Sequence, residues 1–214
     1  MKNFEKIIEF IFKKKNLESN SLIIIVGFIP KRFKEFLNNI VSLKSHIKII
    51  YRSKKEHYWD ISEIVGYLKS IILIASYNKK KNTLEIILKQ AIKSLGIKLN
   101  LLDITSYSSG IFFGNLNKFS RSLLFFQSIF EERPELKVFK ILISSFLNPN
   151  TIDLNILPSY DHLIAFFYVN SKILLRIYQI SNKNKLKKDF KKNQFHLVEI
   201  GPRFIARIIG FKIE

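Results

Sequence analysis

The stretch that decides the fold lies near the end of the chain and runs Leu197-Val198-Glu199-Ile200-Gly201-Pro202-Arg203-Phe204. An apolar run is interrupted by Gly201-Pro202 and resumes directly after Arg203. Pro202 fixes its own φ and has no N–H, and Gly201 can adopt backbone angles closed to other residues. The pair therefore predicts a bend between two strands. Arg203 is then held at the start of a strand, either as a ligand-binding side chain or as an ordinary surface arginine.

Composition bounds the class of protein. The chain has 214 residues, of which 47% are hydrophobic and 25% charged, values typical of a globular domain rather than a disordered segment. Its 36 Lys and Arg residues against 17 Asp and Glu residues give a net charge of +19 and a pI near 10.0. Such an excess predicts a polyanionic partner, either nucleic acid or an acidic membrane surface. The joint abundance of Lys, Asn, Ile and Phe also indicates an A+T-rich coding bias, which would account for part of the charge.

The same composition excludes several kinds of site. The chain has no cysteine, so disulfides and thiolate metal ligands are excluded. No apolar run reaches the roughly 18 residues that a membrane span needs, and a soluble intracellular protein is expected. The histidines are scattered without metal-ligand spacing, at His46, His57, His162 and His196. Neither a metal nor another cofactor is therefore expected.

Residues 1–21 form a separate basic segment before the main domain. Residues 4 to 12 have the apolar spacing of an amphipathic helix and run into Lys13-Lys14-Lys15. A helix of this kind can lie on a membrane, but packing against the domain or a partner is favoured. Glu5 and Glu9, with the lack of arginine, argue against an organellar transit peptide.

The first half of the main domain alternates between short apolar runs and helical stripes. One helix is expected to begin at Pro30, and another at Asp60, which forms a capping box with Glu63. Buried strands are predicted at Leu22–Val26, Ile47–Tyr51 and Ile71–Ala75. The β-α-β-α-β order predicts a sheet with helices packed on it.

Residues 83 to 104 fit two structures, and periodicity alone favours a helix. Leu84, Ile87, Leu88 and Leu95, closed by Gly96, have the spacing of a helix, yet the same stretch can be divided into a pair of strands. The composition then shifts to Ser, Gly and Asn over about 106–118, which predicts a connector between two halves.

The second half repeats the order of the first. A strand at Ser122–Gln127 is followed by a helix start at Pro134, preceded by the acids Glu131 and Glu132. Strands on either side of Asn170-Ser171 predict a tight hairpin, and a lysine-rich loop leads to the Gly-Pro bend. Each half thus predicts a strand, a helix and further strands, which suggests an internal duplication.

Catalytic motifs are lacking, whereas binding groups are plentiful. The chain has no Gly-rich phosphate loop, no G-x-S-x-G, no H-E-x-x-H and no acid/base pair, so an enzyme is not expected. The helix after Pro30 carries Lys31, Arg32 and Lys34 in its first turn, where cations oppose the helix dipole. That arrangement favours phosphate binding, although a solvated lysine-rich face would look the same.

Several stretches, in order over residues 22 to 213, follow the pattern of one known family. They are Leu22 to Leu37, Asn115 to Arg121, Phe130 to Lys137, Tyr160-Asp161-His162, Arg176 to Ile180 and Leu197 to Phe204. The chain resembles the Brix-domain proteins of ribosome assembly, and within them the members that act on the large subunit. It departs from the pattern at Phe119 and Ser122, where a glycine and a proline are expected, and it ends without a basic C-terminal tail.

The resemblance implies an α/β Brix domain over 22–213, made of two similar halves at about 22–105 and 115–213. Each half would be a sheet with packed helices, similar to the anticodon-binding domains of some tRNA synthetases. The resemblance also implies a non-catalytic nucleolar factor that binds pre-ribosomal RNA and works with large-subunit assembly factors and ribosomal proteins. Neither a membrane nor a small-molecule substrate is expected.

We expect RNA contacts at six basic residues and a structural signature at three others. The basic residues are Lys31, Arg32, Lys34, Lys118, Arg121 and Arg203; the signature residues are Gly201, Pro202 and Phe204. Two alternatives stay open at this stage. The protein could be a protein–protein scaffold in which Arg203 is a buried structural arginine, or it could act on the small-subunit precursor.

Overall fold

A computed structural model describes residues 21–44, 47–53, 71–90, 95–112, 122–147, 160–182 and 195–212. The basic segment 1–21 (except Ser21), the helix expected from Asp60 and the lysine-rich loop before the final strands lie outside these ranges. Among the helices it does describe, none combines the length and apolarity needed to span a bilayer.

The first half begins with a parallel unit. Strand β1 (Ser21–Val26) leads into helix α1 (Lys31–Leu43) and strand β2 (Ile47–Arg52), and β1 also pairs in parallel with β3 (Ile71–Asn78). The predicted strands and the predicted helix at Pro30 are confirmed. Alternating residues of β1 are buried on opposite faces, because side chains along a strand point to each face in turn.

The ambiguous stretch forms two strands, β4 (Thr83–Gln90) and β5 (Gly96–Thr105). Leu84, Ile86 and Leu88 are buried with the two-residue period of a strand, and β4 pairs antiparallel with β3 on one side and β5 on the other. Leu84, Ile87 and Leu88 have helical spacing but do not form a helix. Hydrogen bonds to β3 and β5 on the two sides stabilise the strand conformation instead.

The second half repeats the topology. Strand β6 (Ser122–Phe126) precedes a one-turn helix, α2 (Ile129–Glu132), and helix α3 (Pro134–Leu147). The acids expected at the start of the proline-led helix lie in α2 instead. Strand β7 (His162–Val169) is parallel to β6 and forms the predicted hairpin with β8 (Lys172–Asn182); its turn holds Asn170 and Ser171, both at positive φ.

The predicted bend separates β9 (Phe195–Glu199) from β10 (Arg203–Lys212). Both strands pair with the same edge of β8, β9 along Tyr178–Asn182 and β10 along Ile173–Leu175, so they lie end to end. The register shifts by two residues between them, which makes Gly201-Pro202 a bulge in one long strand. A proline fits there because its missing N–H removes no ladder bond.

The strands of both halves form one ten-stranded sheet, in the order β2-β1-β3-β4-β5-β10-β8-β7-β6, with β9 beside β8. The order β1-β3-β4-β5 of the first half is matched by β6-β7-β8-β10 of the second. The halves therefore share a continuous sheet, joined where β10 pairs with β5, rather than each having a sheet of its own.

Helices α1 and α3 pack on the same face of this sheet. Their apolar side chains and those of the strands form one core, which includes Phe36, Phe139, Phe166 and Ile97. The halves also interlock: α3 packs on β3 and β4, and Ser21 Oγ in β1 donates a hydrogen bond of 2.8 Å to the carbonyl of Phe146. One core with contacts of this kind holds the sheet edge in a fixed shape, and the candidate functional side chains lie on that edge.

Candidate nucleic-acid interface

The carboxyl ends of the first-half strands β1, β2, β3 and β5 meet at one edge of the sheet. Strand β5 is parallel to β1 and β3, because β4 is antiparallel to both of its neighbours. The end of β2, the β1–α1 loop, the β3–β4 turn, the end of β5 and the start of β10 consequently all lie at this edge. We call it the basic edge; its exposed or half-exposed cations are Lys31, Arg32, Lys34, Arg52, Lys79, Lys80, Lys81 and Arg203.

Helix α1 begins at the basic edge with no side-chain cap. Pro30 precedes the helix and makes no side-chain hydrogen bond to it, and no acid lies in its first turn. Lys31 and Lys34 therefore stand beside the positive end of the helix dipole without a local counter-charge in that turn. The Lys31 side chain is 91% exposed, and its Nζ lies 3.9 Å from Glu35 Oε1 one turn later, a weak solvent-screened pair.

Lys34 lies above an aromatic ring. Its Nζ is 5.0 Å from the centre of the Tyr51 ring, near the end of β2. A cation–π contact at an exposed site is worth only about 0.5–1 kcal/mol, so it orients the ammonium without withdrawing it from solvent.

Arg32, between these two lysines, is bonded within the fold. Its Nη2 donates hydrogen bonds to the Asn82 side chain (Oδ1, 2.9 Å) and to the Asn82 carbonyl (3.3 Å), and Tyr77 donates to the same Oδ1. The guanidinium also lies 4.6 Å from the Phe33 ring centre. Arg32 thus fastens the start of α1 to the β3–β4 turn.

That turn carries three exposed lysines, Lys79 to Lys81. The side-chain oxygen of Asn78 accepts hydrogen bonds from the N–H groups of Lys80 and Lys81, which fixes the turn backbone. Asn78 also donates to Glu85 Oε1 over 2.9 Å, and Lys98 Nζ lies 2.9 Å from Glu85 Oε2. The Asn78 hydrogen bond, and then that of Lys98, lower the pKa of the Glu85 carboxyl.

Arg203 begins β10 and faces Thr105, the last residue of β5. Its Nε donates a hydrogen bond of 3.1 Å to Thr105 Oγ1, its Nη1 lies 3.9 Å from Glu199 Oε1, and its guanidinium is 5.6 Å from the Phe112 ring centre. The side chain is 34% exposed. It therefore has partners on three segments and still reaches solvent.

Glu199 is shared by two arginines. Arg176 Nη1 in β8 donates a hydrogen bond of 2.8 Å to Glu199 Oε1, the same oxygen that faces Arg203. The adjacent Tyr178 has a raised pKa, first because of burial and then because of the Glu199 charge. A depression of about 140 Å³ beside this group is lined by Asp103, Thr105, Arg176 and Arg203 among others. Its two arginines are balanced by Glu199 and Asp103, so the group braces the fold more than it attracts an anion.

The signature residues set this geometry. Gly201 has φ +64°, and an added Cβ would lie 2.4 Å from the Phe112 ring. Pro202 follows through a cis peptide bond and is buried. Phe204 packs edge-to-face on Phe36 of α1, with ring centres 5.9 Å apart.

The predicted RNA residues are only partly brought together. Arg203 shares the basic edge with Lys31 and Lys34, but its side chain points to the face opposite Phe204, and α1 packs on the Phe204 face. Lys118 and Arg121 lie outside the described residues. Sequence reasoning missed Arg176 and Thr105 as partners of the bend, because both are distant in the chain; the resemblance at Arg176 to Ile180 was the one available signal.

A mixed α/β sheet of two matching halves, with helices on one face and a cationic edge, defines the chain as a basic α/β domain. The model of the Brix domain matches residues 28–209, and the chain belongs to the Brix domain family. The recognition made from the sequence is confirmed. The likeness to anticodon-binding domains stays a prediction.

Curated relatives agree with this assignment. The chain is 27% identical over 203 residues to ribosome biogenesis protein BRX1 of Saccharomyces cerevisiae. The aligned region covers 90% of this chain and 67% of the relative. It is 28% identical over 188 residues to the BRX1 homolog of Dictyostelium discoideum, covering 84% and 54% respectively. The chain thus spans about half to two thirds of the length of these relatives.

A solved structure has the same fold. The crystal structure of a probable ribosomal biogenesis protein from Aeropyrum pernix K1 superposes with a TM-score of 0.54 at 7% identity, covering 92% of this chain and 100% of that one. At so low an identity, the likeness concerns the fold alone.

Proposed function

We propose that this protein is a non-catalytic ribosome biogenesis factor of the BRX1 type, which binds pre-ribosomal RNA along the basic edge. One observation carries the proposal: strands and turns far apart in sequence place Lys31, Lys34, Lys79 to Lys81 and Arg203 along one edge of the sheet. Membership of the Brix family and the names of its relatives, which are ribosome biogenesis proteins, support pre-ribosomal RNA as the partner of this edge.

The geometry of the edge suits an extended backbone of phosphates. Neighbouring strands are about 4.8 Å apart, so β10, four strands along from β1, lies roughly 19 Å from it, and Arg203 at the start of β10 extends along the edge the row of cations that begins at α1. Phosphates recur at intervals that such a row of ammonium groups can follow, and each neutralised phosphate releases counterions. Lysine suits this use because it acts as a flexible point charge and imposes no base preference.

The six RNA contacts predicted from the sequence differ in how many bonds they make within the fold. Lys31 and Lys34 are available to phosphates, whereas Arg32 acts chiefly by holding α1 to the β3–β4 turn. Arg203 has a mixed role: its hydrogen bond to Thr105 braces the joined strands, while its exposed part adds charge to the edge. Lys118 and Arg121 remain proposed contacts on the resemblance alone.

The cellular part of the proposal follows from the family. The protein acts in the nucleolus on the large-subunit precursor, together with other assembly factors and ribosomal proteins. Crosslinking the tagged protein in cells and sequencing the attached RNA tests it. Enrichment of one segment of large-subunit precursor RNA supports the proposal, and enrichment of small-subunit precursor RNA assigns the protein to the other subunit.

A protein–protein scaffold is a second candidate, favoured by the internal bonds of Arg32 and Arg203. In that case the edge would carry little RNA affinity, and the tagged protein would co-purify with assembly factors after ribonuclease treatment while yielding no RNA crosslinks. Recovery of crosslinks that depend on Lys31 and Lys34 excludes this candidate.

A further inference from the structure

Two exposed aromatic side chains flank the first turn of α1 at the basic edge. Phe28, in the β1–α1 loop, is 68% exposed, and Tyr51, near the end of β2, is 54% exposed. Among the large apolar side chains of the described residues, Phe28 is the most exposed. Neither ring belongs to the hydrophobic core, whose aromatic members, such as Phe36 and Phe139, are buried under α1 and α3.

The backbone brings the two rings to the same end of the sheet. Ile25 of β1 is the register partner of Tyr51, and Gly27 N–H donates a hydrogen bond of 2.9 Å to the Arg52 carbonyl. Phe28 follows Gly27 directly, so it leaves β1 just beyond the neighbouring end of β2. Gly27 has φ +71°, so the chain turns at the end of β1 immediately before Phe28.

One cation contacts the Tyr51 ring, and others lie close by in the chain. Lys34 Nζ lies over the Tyr51 ring, Lys31 begins the adjacent helix, and Arg52 directly follows Tyr51. An exposed aromatic beside ammonium groups has the composition of a site where a base stacks on the ring while a cation binds its phosphate. A protein partner would instead favour an apolar patch with few charges at its centre.

We propose that Phe28 and Tyr51 stack on unpaired bases, so that this end of the basic edge binds single-stranded rather than duplex RNA. The inference rests on the proposed RNA binding and deepens it by naming the form of RNA that is bound. Bases in a duplex are stacked on each other and present no face to a ring, whereas unpaired bases can stack on an aromatic side chain.

The test compares the affinity of the full chain for an unstructured oligouridine of about 12 nucleotides with its affinity for a duplex of the same length. For Phe28→Ala/Tyr51→Ala we expect single-strand binding to weaken on the order of 10- to 100-fold, since stacking contributes about that much per base or two. Duplex binding should stay unchanged, and so should the salt dependence, because no charge is removed.

Three variants separate stacking from other causes. Phe28→Leu/Tyr51→Leu keeps apolar bulk and should lose nearly as much single-strand affinity as the alanine pair, whereas Tyr51→Phe should bind like the wild type. Phe211→Ala removes a ring that is 45% exposed at the opposite end of β10 and should have no effect. Urea unfolding of each variant shows that the fold is retained.

Equal losses for single strand and duplex, or full affinity in the alanine pair, would overturn the inference. Loss of co-purifying proteins with RNA affinity intact would also overturn it, since the rings would then form a protein-docking surface. Failure of the wild-type protein to bind either RNA contradicts the proposed function itself, which distinguishes the two failures.

Discussion

Arg203 Nε and Thr105 Oγ1 are 3.1 Å apart, and the hydrogen bond between them joins β10 to β5 at the line where the two halves of the sheet meet. The two residues are separated by 98 positions in the chain, so the bond forms only when both halves are folded. It links the closing signature of the family to the end of the first half.

Replacing Arg203 should separate its structural and electrostatic contributions. Arg203→Lys keeps the charge but cannot reproduce the Nε hydrogen bond, and we expect it to lower the free energy of unfolding by about 1 kcal/mol with RNA affinity nearly unchanged. Arg203→Ala should lower both. Urea denaturation and RNA titration at fixed salt measure the two effects, and a lysine variant as stable as the wild type would refute the bracing role.

Gly201 offers a sharper test of the bend, because the chain provides a matched control. Gly201→Ala introduces a methyl group at positive φ and against the Phe112 ring, whereas Gly110→Ala, at φ +73°, meets nothing within 4 Å. The control should cost roughly 1–2 kcal/mol of stability from backbone strain alone. Gly201→Ala should cost clearly more, and adding Phe112→Ala should recover part of the difference. Equal losses in the two single variants would show that the Phe112 contact is unimportant.

Stability at acid pH should depend on Glu85. Its carboxyl accepts from Asn78 and pairs with Lys98, and its pKa is lowered in the folded state from an ordinary value of 4.5. A carboxyl with a depressed folded pKa stabilises the protein above its unfolded pKa, and that contribution is lost as the pH falls through the folded pKa. Glu85→Gln should therefore lower stability at neutral pH and flatten the decline below about pH 4.5.

Thermal or urea unfolding from neutral to acid pH measures this difference. Lys98→Met, which removes the weaker of the two partners and leaves the Asn78 hydrogen bond, should leave part of the decline in place. Parallel stability curves for wild type and Glu85→Gln would contradict the assignment. Because Asn78 also holds the turn with Lys79 to Lys81, the same acid range should loosen that part of the basic edge.

Local patterns predicted much of the architecture. Apolar runs and stripes placed β1, α1, β2 and β3, and turn chemistry placed the Asn170-Ser171 hairpin and the bend. Two features could not be read in this way. The apolar residues from Leu84 to Gly96 fit both the helical and the strand period, and only pairing with β3 and β5 determines that the stretch forms strands. The continuous sheet depends on β10 crossing to β5, a contact that no local pattern encodes.

The sequence predicted which cations belong to the candidate site but not how they are arranged in space. The cations at Lys31 and Lys34 stood out because they oppose the helix dipole. The hydrogen bond from Arg32 to Asn82 could not be predicted from the sequence, since Asn82 lies 50 positions away in a turn. The alignment of Lys79 to Lys81 with Arg203 along one edge follows from strand directions, which become known only with the pairing of β4.

The most direct test of RNA binding at the basic edge is a salt titration of ribosomal RNA affinity for Lys31→Ala/Lys34→Ala. Its control is Lys137→Ala/Lys172→Ala, which removes the same charge from α3 and β8. If Lys31 and Lys34 each neutralise one phosphate of a single strand, the slope of log affinity against log salt should become shallower by about 1.4 in the first variant. It should change little in the control. A slope equal to that of the wild type, or equal reductions in both variants, would contradict RNA binding at this edge.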